Sequence, residues 1–141
     1  MAKTNPALEH LGKVRLFQGL TPKELAVIGA LAKTFTFPAG NVIVEEGAQG
    51  GRFYLITSGE ADVIVHDQNV LTLREGGYFG EIALIDEGPR TATVRAVTDV
   101  EALGIASFNF RPLLKNEPGV AFKVLQEVCR RLREADRMQS V

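Results

Sequence analysis

This chain is short of the residues that metal, redox and nucleophilic chemistry usually draw on. Its 141 residues include one cysteine, Cys129, and two histidines, His10 and His66. A lone cysteine excludes an intrachain disulfide and a cysteine-clustered metal, and nothing ties the chain to an oxidising compartment. Charge of either sign is not in excess. Sixteen basic residues face 17 acidic ones, and the formal charge of -1 leaves no footprint for general nucleic-acid binding. No apolar run approaches the ~20 residues of a membrane span, and Met-Ala-Lys-Thr-Asn-Pro at the start lacks the apolar core of a signal peptide. A soluble, cytoplasmic protein is the expectation. Internal repeats, low-complexity tracts and long linkers are missing too, so the length predicts one domain that buries roughly two-thirds of its unfolded surface.

Glycine is plentiful by contrast. Fourteen glycines and 45% hydrophobic residues fit a β-rich globule with many tight turns. The first forty or so residues nevertheless read as helical. Asn5-Pro6 opens a short helix carrying Leu8 and Leu11, with Gly12 as its stop. Thr21, Pro22 and Glu24 spell a capping box, with Leu20 and Leu25 spaced for the hydrophobic staple, and the helix behind them is expected to bury Leu25, Ile28 and Leu31. Glu24 is therefore read as a cap and not as a catalytic acid.

From Phe35 the period changes toward two. Strand-like runs cover Val42 to Glu45, Phe53 to Thr57, Ala61 to Val65, Val70 to Arg74, Thr91 to Val97 and Val100 to Ala106. Breaks fall at Pro38-Ala39-Gly40, Gly47 to Gly51, Ser58-Gly59-Glu60, Asp67-Gln68-Asn69, Gly76-Gly77 and Thr98-Asp99. Short strands joined by short turns predict an antiparallel sandwich or roll, because parallel strands need long crossovers. The glycines from 47 to 51 lack the Lys-Ser/Thr ending of a P-loop and are read as a hairpin turn.

One stretch departs from this alternation. Phe79-Gly80-Glu81-Ile82-Ala83-Leu84 is a glycine followed by a short helical pattern; Gly88-Pro89 breaks it, and Arg90-Thr91-Ala92-Thr93-Val94 follows. Gly80 lets backbone approach a ligand closely, and a helical turn near Glu81 aims amide donors at an anion. Arg90 offers a phosphate two donors at once. Glu81 would repel that anion, so its expected work is to accept a hydrogen bond from a neutral donor such as a ribose hydroxyl. A phosphate and a free 2'-hydroxyl on one compact ligand describe a cyclic nucleotide monophosphate. Thr93 reads as a strand former.

Phe-Gly-Glu-Ile-Ala-Leu, a spacer, then Pro-Arg-Thr-Ala-Thr-Val resembles the phosphate-binding cassette of the cyclic nucleotide-binding domain family. The resemblance runs from about Phe17 to about Asp136. It implies a mainly β fold, an eight-stranded antiparallel, jelly-roll-like β-roll, with N-terminal helices, a short cassette helix and C-terminal helices. The divisions expected are 1–34 for the N-terminal helical segment, 35–106 for the roll with its cassette at 79–93, and 107–137 for the C-terminal helices, all in one domain. The ligand set implied is Gly80, Glu81, Ile82, Ala83, Arg90, Thr91 and Ala92. In this family a threonine after the arginine often accompanies acceptance of cyclic GMP and an alanine a preference for cyclic AMP, whereas bacterial-type members with serine or threonine often bind cyclic AMP. Thr91 keeps both ligands open, with cyclic AMP the first choice.

After Ser107 helical spacing returns. Asn109 is expected to cap a short helix to Lys115 with Pro112 in its first turn, and Pro118 to begin another running to about Arg137. Ala121, Leu125, Val128 and Leu132 form one apolar stripe on it, bound for the roll or a partner helix. In the family a C-terminal helix swings over the bound nucleotide and caps its base; the matching positions are Arg131 and Ala135, one turn apart. These expectations add up to a cyclic-nucleotide sensor, not an enzyme, with no cofactor and no metal: a metalloenzyme on such a roll would present several histidines on its strands. The alternative is an interaction or structural module that keeps the roll without using a nucleotide. Only Met138 to Val141 follow the last helix, too few for an appended helix-turn-helix, so the expected output is a separate protein effector or a domain missing from this chain. Homodimerisation through the last helix is a further expectation.

Overall fold

The computed structural model describes residues 6–139, which fall into two compact units. One spans residues 31–111, and the other joins the chain's ends, up to Ala30 and from Pro112. Residues 1–5, with Asn5 of the first expected helix start, and residues 140–141 lie outside the described residues.

Residues 31–111 hold ten strand segments: β1 (Lys33–Phe37), β2 (Val42–Val44), β3 (Gln49–Gly50), β4 (Arg52–Ser58), β5 (Ala61–Val65), β6 (Gln68–Leu73), β7 (Tyr78–Phe79), β8 (Gly88–Pro89), β9 (Thr93–Ala96) and β10 (Val100–Ala106). Eight of them form two four-stranded antiparallel sheets, in the orders β1-β10-β4-β7 and β2-β9-β5-β6, while β3 and β8 pair with each other as a separate ribbon. With that ribbon set aside, the sheets run first-eighth-third-sixth and second-seventh-fourth-fifth, the connectivity of a jelly roll. The expected eight-stranded roll is therefore present, with a small two-stranded addition.

Alternation decides which side chains fill it. Tyr54, Ile56, Val100 and Ala102 of the first sheet meet Ala61, Val94 and Ala96 of the second, with Phe35, Phe37, Val63, Leu73 and Phe79 packed around them. The Tyr54 ring lies edge-on to Phe35 and Phe37, each at 5.8 Å between centroids, and tilted against Phe79 at 5.3 Å. Such ring pairs add about 0.5–1.5 kcal/mol each beyond the area they bury.

Several sequence boundaries shift for local reasons. The β5–β6 turn centres on His66 and Asp67, with φ of 50° and 65°, so Gln68 and Asn69 already belong to a strand. Two consecutive left-handed residues suit a tight hairpin whose twist matches its strands. The strand expected over Thr91 to Val97 is shorter, because Thr91 and Ala92 form a bend before β9. The glycines at 47–51 contain a strand, β3, that pairs with β8 instead of only turning the chain. Helix α3 (Ser107–Asn116), which crosses the unit boundary, begins two residues before Asn109 and places Pro112 in its interior. Proline there costs the helix the bond to the carbonyl of Phe108, a residue 84% exposed.

The helical unit contains α1 (Pro6–Lys13), a 3₁₀ turn at Arg15–Phe17, α2 (Pro22–Gly29), the end of α3 and the long α4 (Pro118–Gln139). Leu11, Val14, Leu16, Phe17, Leu20, Ile28, Leu113, Val120 and Val124 are its buried apolar residues. The capping box forms as expected: Thr21 Oγ1 accepts from the Glu24 amide at 3.2 Å, and Glu24 Oε1 accepts from the Thr21 amide at 2.9 Å. Leu31 lies past the end of α2.

Helix α4 does not turn its expected stripe into the core of its unit. Its stripe of Leu125, Val128 and Leu132 is exposed, together with Phe122, whereas Val120, Val124 and Glu127 are buried. Both sets have helical spacing, so periodicity alone could not tell the inward set from the outward one. Glu127 is paired with Arg130. Lys123 Nζ donates to Glu24 Oε1 at 2.8 Å, and Arg15 Nη2 to Glu134 Oε2 at 2.6 Å, so charge clips α4 to both α2 and the 3₁₀ turn. The Lys123 hydrogen bond and the Thr21 amide hold the Glu24 carboxyl below its ordinary range, and Arg15 does the same for Glu134. Their stabilisation is therefore present above the ordinary carboxylate pKa of about 4.3 and disappears as pH falls through the depressed folded values. Replacing Lys123 and Arg15 together by glutamine should lower the thermal midpoint modestly near neutral pH, with the gap to the parent closing below about pH 4. A gap that stays constant down to about pH 2 would show that these side chains act by packing and not by charge.

Candidate functional site

Between β7 and β9 the chain folds around one arginine. Strand β7 pairs with the middle of β4, Tyr54 opposite Phe79 and Leu55 opposite Tyr78. Gly80 follows with φ of +82°, a conformation that side chains other than glycine's adopt only with strain. It turns the chain into a single 3₁₀ turn, Ile82–Leu84, anchored by the fully buried Leu84. The turn is shorter than the helix expected there, and three residues cannot build the aligned dipole of a longer one. The Ala83 amide is spent inside it, donating to the Gly80 carbonyl at 3.1 Å.

Arg90 is fixed at both ends. Its backbone is locked to the glycine loop: the Gly47 amide donates to the Arg90 carbonyl and the Arg90 amide to the Ala48 carbonyl, both at 2.8 Å. Its Nη2 donates to the Arg52 carbonyl at 2.7 Å. Two glycines make the room. A Cβ on Gly50 would lie 2.0 Å from Arg90 Nε, and one on Gly80 would lie 2.6 Å from Arg90 Nη1 and 2.7 Å from the Arg52 carbonyl oxygen. Gly50, Arg52 and the 47–48 loop were not among the site residues predicted from sequence; the signal was a run of glycines, legible only as a turn until its pairing with Gly88–Pro89 is seen.

The half-buried guanidinium faces a cavity of about 360 Å³. It is lined by Gly80, Glu81, Ile82 and Ala83, by Asp86, and by Gly88, Pro89, Arg90 and Thr91. Six of the seven expected ligand residues are thus brought together; Ala92 is partly buried in the bend and is not part of this lining. No carboxylate among the described residues forms an ion pair with Arg90. Glu87, three residues before Arg90 in the chain, accepts a hydrogen bond from Ser107. Burial holds the Arg90 pKa below its usual value, and the nearby Arg52 lowers it further, while Tyr54 acts in the opposite direction. Arginine keeps its proton regardless, so the cavity presents a desolvated positive charge beside two carboxylates, Glu81 and Asp86. Thr93 has a separate role, its Oγ1 accepting from the Glu46 amide at 2.9 Å. Arg131 and Ala135 lie on α4 in the helical unit, Arg131 partly buried and Ala135 exposed. Among the described residues no group of three or more His, Cys, Asp and Glu is placed to hold a metal ion, and no helix is long and apolar enough to cross a membrane.

An antiparallel jelly roll hosts many unrelated functions, and the fold alone does not choose among them. Comparison with known proteins makes the class specific. Residues 34–117 match the family model described as "Cyclic nucleotide-binding domain", and the chain belongs to that family. Over 106 residues it is 42% identical to the cAMP-dependent protein kinase regulatory subunit of Emericella nidulans, a match covering 74% of this chain and 26% of that protein. The chain thus spans about a quarter of that relative's length. Among solved structures, the N-terminal domain of a transcriptional regulator from Streptomyces coelicolor A3(2) superposes with a TM-score of 0.86 at 31% identity, covering 94% of this chain and 96% of that one. The catabolite activator protein of Thermus thermophilus gives 0.71 at 33% identity, covering 89% and 62%.

The seat of Arg90 can be tested by a double-mutant cycle. The three atoms nearest a Gly50 Cβ all belong to the Arg90 side chain, whereas two of the three nearest a Gly80 Cβ are backbone atoms, of Arg52 and Phe53. Gly50→Ala should therefore destabilise the parent but be nearly silent in an Arg90→Ala background, a coupling on the order of 1–3 kcal/mol by denaturant unfolding. Gly80→Ala should remain costly in both backgrounds.

Proposed function

We propose that this chain is a sensor module for a cyclic nucleotide, with cyclic AMP the first choice and cyclic GMP the second. The observation carrying this reading is Arg90: a half-buried guanidinium, held by a backbone carbonyl, lining a cavity and ion-paired with no carboxylate among the described residues. A cyclic phosphate supplies the missing negative charge and accepts two donors at once. Glu81 accepts from the ribose hydroxyl, Gly80, Ile82 and Ala83 contribute backbone atoms, and Thr91 and Ala92 complete the approach to phosphate and base. Arg131 and Ala135, one turn apart on α4, are the candidate cover for the base. The kinship with a protein named a cAMP-dependent protein kinase regulatory subunit supports cyclic AMP as the ligand.

No chemical step is part of this function. Micromolar recognition corresponds to about 8 kcal/mol, within reach of one buried arginine-phosphate pair, several backbone hydrogen bonds and burial of a base. The output is mechanical: ligand binding biases the position of the terminal helices and so the state of a protein effector, either separate or encoded beyond this chain. The exposed stripe of Leu125, Val128 and Leu132 supports a homodimer through α4, since paired helices bury such a row against each other.

Calorimetric titration with cyclic AMP and cyclic GMP should give saturable binding; none at hundreds of micromolar would favour a roll that does not use a nucleotide. Arg90→Ala should weaken binding more than tenfold while the domain stays folded, because a lost set of charged hydrogen bonds costs roughly 1.5–3 kcal/mol. Unchanged affinity would move the phosphate elsewhere. Light scattering at tens of micromolar should report a dimer mass, and Leu125→Ser with Leu132→Ser should shift it to the monomer.

A further inference from the structure

Arg90 is not the only guanidinium at this end of the roll. Arg52 and Tyr54, two residues apart on β4, share the strand face that points into the core. The Arg52 Cζ lies 4.7 Å from the Phe35 ring centroid, and its Nη1 is 3.5 Å from the Tyr54 hydroxyl, too long for a strong hydrogen bond. Gly104 opens the space for this: a Cβ there would lie 2.6 Å from the Phe35 ring and 3.1 Å from Arg52 Cδ. Arg52 and Arg90 line one common cavity of about 410 Å³, adjoining the one bounded by Gly80 to Ala83. Neither guanidinium forms an ion pair with a carboxylate among the described residues, and Glu87, the one acid of this cavity, is engaged by Ser107.

We propose that Arg52 is a second cation of the anion subsite, holding the ligand's phosphate through its field while its main-chain carbonyl positions Arg90. The proposal rests on the reading of Arg90 as the phosphate ligand and adds to it a residue that touches no ligand atom. Two like charges beside one polar cavity repel when it is empty, and an anion between or beside them turns that repulsion into attraction. The lowering of the Arg90 pKa by Arg52 is the same repulsion seen from the arginine's side. Because the effect is a field and not a contact, salt must screen it. Carbonyl positioning, in contrast, is untouched by changing the side chain.

The test compares the parent chain with Arg52→Gln and Arg52→Lys, titrating cyclic AMP at about 20 mM and about 500 mM salt. Arg52→Gln should bind about three- to tenfold more weakly at low salt, with the difference falling below about twofold at high salt. Arg52→Lys should retain most of the parent affinity and its salt slope. A residue that only props the fold through Phe35 predicts the same loss at both salt concentrations and no rescue by lysine; that result, or parental affinity for Arg52→Gln throughout, overturns the proposal. A parallel arm separates it from the identity of the nucleotide, using inorganic phosphate as the probe and the thermal midpoint as the readout. If the parent binds no cyclic AMP yet phosphate stabilises it more than Arg52→Gln, the two-cation subsite stands and the nucleotide reading falls. Equal stabilisation of both, or none of either, removes the subsite as well.

Discussion

The hydrogen bond from Arg90 to the carbonyl of Arg52 is the contact on which the site's geometry depends. A long, flexible cation is placed by a rigid acceptor in a strand, and that acceptor is one residue from the fully buried Phe53. Gly50 and Gly80 leave the guanidinium room, and a glycine loop grips the Arg90 backbone from both its amide and its carbonyl. An arginine tied to a backbone carbonyl and not to a carboxylate keeps its charge uncompensated. A charge held in that way, half-buried and preoriented, costs a ligand little reorganisation.

That constraint explains why the two-stranded ribbon exists. The pairing of Gln49–Gly50 with Gly88–Pro89 joins the segment before β4 to the segment before Arg90. Neither strand could be stable by itself at two residues. Their pairing has meaning as a clamp that sets where Arg90 leaves the backbone, and Ser107, buried at the start of α3 and bonded to Glu87, braces the same region.

The helical unit follows a different logic. Its apolar interior is built from α1, the 3₁₀ turn and α2 together with Val120 and Val124 of α4, and its outer contacts are ionic. Exposed ion pairs contribute little stability and are readily exchanged. Helix α4 therefore carries a buried face, a charged margin clipped by Lys123 and Glu134, and an outward row of leucine and valine, three separate surfaces on one amphipathic element.

Much of the fold was legible in the sequence. Alternation and glycine punctuation located the main strands, the Thr21-Pro22-Glu24 box located α2, and the cassette pattern named Gly80, Glu81 and Arg90. These are local signals: a cap, a turn or a strand face is written in residues a few positions apart, and chemistry at that range survives folding unchanged. The remainder depended on which segments the fold brings together. The fold chose Val120 and Val124 over Leu125 and Leu132 as the buried face of α4, because two stripes of equal period differ only in what meets them. It turned a run of glycines into the seat of Arg90, and it brought Arg52, 38 residues distant in sequence, to the same cavity. Steric room and electrostatic neighbourhood are properties of juxtaposed strands, and no spacing within a single strand records them.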